Sequence, residues 1–107
     1  MEQVATGAAA ISVTLKPTQR FRLDGITLHL NAAPTTSQNF TVTLNSNEAA
    51  AYDTVLFKHD LTVGSITDLD LTFGEKQHKY DPGTAIDVAW TNTDTKTYGL
   101  TIYYTLL

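Results

Sequence analysis

Through most of this chain the large apolar side chains fall on every second position, a period that fits extended strands and not helices. In residues 85–91 they are Ile86, Val88 and Trp90, and in residues 99–106 they are Leu100, Ile102, Tyr104 and Leu106. A strand sends successive side chains to opposite faces, so each run has one apolar side and one threonine-rich side. With polar residues 92–97 between them, the two runs read as a terminal ribbon. No segment carries a convincing helical period. The expected fold is all-β.

The same alternation divides the rest of the chain. Ile11, Val13 and Leu15 mark a strand that Pro17 ends by removing a ladder donor. In residues 20–31 the apolar parity changes, with Phe21 and Leu23 on odd numbers and Ile26, Leu28 and Leu30 on even ones. One extra residue must lie between them. Asp24-Gly25 stands there, so either a glycine bulge restores the inward face or two short strands meet at a bend. Residues 32–38 are a proline-bearing loop, and Phe40, Val42 and Leu44 make the next strand, followed by a turn at residues 45–48. In residues 52–59, Val55, Leu56 and Phe57 are apolar on both sides, which suggests a central strand, or one covered by a loop or a partner. Leu69, Leu71 and Phe73 alternate with Asp68, Asp70 and Thr72; a short strand follows at residues 77–80, and Asp81-Pro82-Gly83-Thr84 is a strong turn signal.

About eight strands with regularly spaced turns predict a single antiparallel β-sandwich, jelly-roll-like because several crossings are long and carry proline. At 107 residues the chain makes one domain with one core. We place that domain at residues 10–107. Residues 1–9, small and weakly patterned, are expected to be a flexible N-terminal arm that frays or orders against a neighbouring subunit.

Composition then removes several kinds of chemistry. There is no cysteine, hence no disulfide framework, thiol nucleophile or thiolate zinc site. The net charge of -4 argues against a phosphate-neutralising nucleic-acid surface, and no apolar run approaches the ~20 residues of a spanning helix. The first residues lack a basic start and an apolar stretch, so if Met1 is the native start, retention in the cytoplasm or exit inside an assembly is expected; a processed precursor would read the same way. His29, His59 and His78 lack the i, i+2 spacing of a cupin-type metal strand and read as surface residues. Asp68 and Asp70 share a strand face at about 7 Å and read as solvated. Residues 92–96 begin like a calcium loop, yet Thr97 replaces the required glycine and no closing glutamate follows in reach. No serine sits in a nucleophile elbow. Neither catalytic residues nor a cofactor or metal site is expected. Trp90 shares the parity of Ile86 and Val88 and belongs to the core, while Tyr103 or Tyr104 must face outward.

Three stretches, residues 21–30 (FRLDGITLHL), 51–57 (AYDTVLF) and 84–92 (TAIDVAWTN) leading to 98–102 (YGLTI), resemble small β-sandwich structural proteins of tailed bacteriophages, the capsid decoration or cement class. The likeness covers residues 10–107 in length and layout. It implies a virion structural protein on the capsid surface, assembled in the host cytoplasm. Such a protein binds the major capsid protein as a homo-oligomer, typically a trimer, and has no active site. The candidate partner contacts are Val4 in the arm, Val55, Leu56 and Phe57 in the two-sided strand, outward Tyr103 and terminal Leu107. Two other readings remain open: a carbohydrate-binding module using Tyr80, Tyr98 and Tyr103, and a tail or baseplate structural protein.

Overall fold

The parity change in the third strand determines how the molecule closes. In the computed structural model, which describes residues 1–46, 49–73 and 79–107, Phe21–Leu30 is one continuous ten-residue strand. Its register against the last strand pairs Leu23 with Tyr104 and Gly25 with Tyr103, so Asp24 is the extra residue. This is a bulge and not a bend. Because of it, Phe21, Leu23, Ile26, Leu28 and Leu30 all point into the core, none more than 2% exposed. Gly25 is required by close approach: a Cβ there would stand 2.7 Å from the backbone oxygen of Leu71.

Nine strands are described: β1 (Glu2–Gly7), β2 (Ile11–Leu15), β3 (Phe21–Leu30), β4 (Asn39–Asn45), β5 (Thr54–Asp60), β6 (Asp68–Thr72), β7 (Lys79–Tyr80), β8 (Ala85–Trp90) and β9 (Tyr98–Leu106). A 3₁₀ turn, Ala50–Tyr52, precedes β5. One sheet runs β1-β9-β3-β6, with β7 also on β3, and the other runs β2-β8-β4-β5. Every pairing is antiparallel. The pairs nest: β1 with β9, β2 with β8, β3 with β6 and β7, β4 with β5. A chain doubled back at β4–β5 and rolled up gives this order, which is that of a jelly roll.

The inner faces meet in one core of Ile11, Leu15, Phe21, Leu23, Ile26, Leu28, Leu30, Phe40, Val42, Leu61, Ile86, Val88, Trp90, Tyr98, Leu100 and Ile102. Trp90 is 2% exposed, and its indole N–H is the one buried side-chain polar atom without a partner among the described residues. The Asp81–Thr84 turn forms as expected: Thr84 N–H donates to Asp81 O at 3.2 Å and Gly83 takes φ +90°. That is the type II pattern, with proline at the second place and glycine at the third.

Three expectations are corrected. First, residues 1–9 are not a loose arm, since Glu2–Gly7 forms β1 on β9. Its inward positions are Gln3, Ala5 and Gly7, too small or polar to show an apolar period, and its one large apolar residue, Val4, faces out. Second, β8 and β9 are not a ribbon. They lie in different sheets, and their apolar sides face each other across the core. Residues 91–97 therefore arch between layers. Asn92, 2% exposed, holds the arch by donating to Ala9 O and Lys96 O and accepting from Lys96 N–H. Third, the two-sided apolar run is not a central strand, because β5 is the edge of its sheet. The register slips from Val42–Phe57 to Thr43–Val55, so Leu56 is bulged. Leu56 and Phe57 consequently both pack on the core while Val55 turns out, 57% exposed. Part of the turn at residues 45–48 and of the strand at residues 77–80, together with His78, lies outside the described residues.

Candidate functional site

Alternation leaves the outer face of the β1-β9-β3-β6 sheet to polar and small residues, and the register arranges them in rows. Glu2, Tyr103, Gly25 and Thr72 stand in one row; Val4, Thr101, Thr27 and Asp70 in the next; Thr6, Gly99, His29 and Asp68 in the third. Gly99 contributes no side chain, and nothing lies within 4 Å of where its Cβ would be. The gap becomes a shallow depression of about 390 Å³ over the third and second rows, lined by Thr27, His29, Asp68, Asp70, Gly99 and Thr101.

Across its floor His29 Nδ1 meets Asp68 Oδ1 at 2.6 Å. The hydrogen bond from His29 holds the Asp68 carboxyl below its ordinary range. Both side chains are about two-thirds or more exposed, so the contact fixes their orientation and adds little stability. Asp70 stands opposite Thr27. Among the described residues no three histidine or acidic side chains converge where a metal ion could sit. Nor is any described helix long and apolar enough to cross a membrane.

At the far end of the same sheet the β3 bulge carries a second polar cluster. Arg22 Nε donates to Asp24 Oδ1 at 2.5 Å, and Thr105 Oγ1 donates to Asp24 Oδ2 at 2.5 Å. Burial pushes the Asp24 carboxyl up, but the Thr105 and Arg22 hydrogen bonds and the Arg22 charge outweigh it and leave it below the usual value. Two further carboxylates brace loops. Asp94 accepts from the Thr36 hydroxyl and from the amides of Thr36 and Thr35, which hold it down to about 2. Asp60 accepts from the Ser37 hydroxyl and from the Thr62 hydroxyl and amide, with the same result, about 2. These carboxylates tie the β3–β4 loop to the β8–β9 arch and to the end of β5.

The six candidate contact residues do not form one surface. Val4 and Tyr103, 60% and 38% exposed, are diagonal neighbours on the outer face just described. Leu107, half exposed, follows β9 on that sheet, with its N–H on Arg20 O. Val55 lies on the edge strand of the other sheet, whose outer face looks the opposite way. Leu56 and Phe57 are half-buried and packed against the core. The three tyrosines of the sugar-binding reading are also separated: Tyr98 is buried, and Tyr80 packs on Phe21 with its ring 5.5 Å away, where burial pushes its hydroxyl pKa up.

Sequence reasoning placed His29, Asp68 and Asp70 outward but missed that His29 meets Asp68. Parity reveals which face a residue takes, whereas the partner depends on β3–β6 register. The depression was legible only as a glycine at an outward position of β9. No protein-family model matches the chain, and no curated protein matches it.

Proposed function

We propose that the chain is a bacteriophage structural protein that decorates the capsid, binding shell subunits through its surface as an oligomer and stabilising the lattice. It works by contact and not by turnover. Three things support this reading: the resemblance of residues 10–107 to decoration proteins, a jelly-roll sandwich as that resemblance implies, and apolar side chains set on an outer face. The third carries it. Val4 and Tyr103 are exposed diagonal neighbours on a sheet whose other outward residues in these rows are threonines, aspartates, a histidine, Glu2 and two glycines. This apolar pair with its polar rim is the feature of that face suited to contact with a partner.

The test is cosedimentation of the purified protein with shells that lack it. Saturable binding is expected, weakened roughly tenfold by Tyr103→Glu, as for loss of an aromatic anchor of about 1.4 kcal/mol. No binding, or binding indifferent to Tyr103, contradicts the proposal.

A further inference from the structure

A β-sandwich has four strand edges, and exposed edges recruit other strands unless something blunts them. Three edges of this molecule are blunted. On β2, the Gln3 side chain donates to Thr14 O at 3.2 Å, and Lys16 and Pro17 follow directly. On β5, the Leu56 bulge breaks the ladder and Lys58 is exposed beyond it. On β6, an antiparallel copy centred on Leu69 or Asp70 would set carboxylate against carboxylate. The fourth edge, β1, has no proline, lysine or bulge, and apart from the Met1 ammonium that precedes it its one charge is Glu2.

The open groups of that edge can be assigned. The Met1 ammonium donates to Tyr104 O at 2.7 Å and Tyr104 N–H donates to Met1 O at 3.0 Å, so Met1 and Tyr104 hold the positions of a hydrogen-bonded pair. In an antiparallel ladder such pairs alternate, so Gln3, Ala5 and Gly7 also bond to β9. The N–H and C=O groups of Glu2, Val4 and Thr6 therefore point away from the sheet.

We infer that β1 is a homotypic pairing edge: two copies of this chain join β1 to β1 antiparallel about a two-fold axis at Val4, making one continuous sheet across the dimer. In that register Val4 faces Val4 and each Glu2 faces a Thr6. The three outward residues of each strand exchange all their free backbone groups. The two Glu2 carboxylates are offset by four residues, about 14 Å, beyond the ~8 Å screening length at physiological salt. The outward side chains at the seam are thus apolar against apolar and acid against hydroxyl. No like charges meet. A two-fold pair gives an even number of copies, not the three that the resemblance implies, and the inference does not depend on what the assembled protein binds.

Light scattering after size exclusion, from micromolar to millimolar protein, is the test, read together with amide exchange at Glu2, Val4 and Thr6. The expected mass is twice 11.7 kDa at the upper concentrations, with those three amides protected there and unprotected on dilution. Val4→Pro removes an outward donor while leaving the β9 bonds intact, and should give a folded monomer. Val4→Lys, which sets two ammonium groups face to face, should do the same without any backbone change. A monomer at every concentration, a threefold mass, or a dimer that persists in a folded variant overturns the inference.

Discussion

Removing Asp24 altogether should harm this protein less than removing Thr27, three residues away in the same strand. With Asp24 gone, Phe21, Leu23, Ile26, Leu28 and Leu30 fall into unbroken alternation, and all five still face inward. The loss is then confined to what Asp24 bonds: Arg22 Nε, Thr105 Oγ1 and the Phe73 amide. Together these amount to about 1–3 kcal/mol, given partly exposed groups. Deleting Thr27 instead reverses the parity of everything after Ile26. Leu28 and Leu30, now 2% and 1% exposed, turn to water at about 1.5–3 kcal/mol each, and His29 is driven into the core at further cost. That total rivals the roughly 5–15 kcal/mol stability of a typical domain. Urea denaturation followed by Trp90 fluorescence compares the two. A folded Asp24 deletion beside an unfolded or barely folded Thr27 deletion is expected. Equal losses, or the reverse order, would refute the bulge as the device that keeps β3 in phase.

Gly25→Ala should destabilise by about 1–3 kcal/mol in the same assay, because its methyl group meets the Leu71 carbonyl at 2.7 Å and β6 must move. Trp90→Ala, a large truncation in a fully packed core, should cost about 3–5 kcal/mol. Asp94 and Asp60 make the fold acid-sensitive: both sit near 2 when folded and at the ordinary 3.8 when unfolded, so the folded state binds fewer protons between those values. Stability from these groups is complete above pH 4 and falls as pH drops toward 2. A melting temperature flat across that range, or a decline undiminished in Asp94→Asn, would contradict this.

What the sequence made legible was whatever alternation reports. The core parity of β2, β3, β4, β8 and β9 and the phase slip in β3 were readable because one face carries large apolar residues and Gly25 flags the slip; that the slip is a bulge and not a bend is settled by the pairing with β9. The type II turn at Pro82-Gly83 was equally plain. What alternation does not report is the partner of a strand. β8 and β9 looked like neighbours because they are consecutive, yet the jelly roll sends them to different layers. β1 escaped because Ala5 and Gly7 face the core, and small residues leave no apolar period. The Leu56 bulge had no glycine to announce it, so a phase slip at an edge looked like a strand buried on both sides. The meeting of His29 with Asp68 likewise depends on register between distant segments.

The decisive observation is the set of cross-strand nuclear Overhauser contacts from the last two strands. The fold described above places Val88 between Val13 and Val42, and Ile102 between Gln3 and Ile26. Backbone contacts in those four pairs, with none joining residues 85–90 to residues 98–106, are the predicted result. A ladder between those two segments would mean that the chain ends in a hairpin and is not a rolled sandwich.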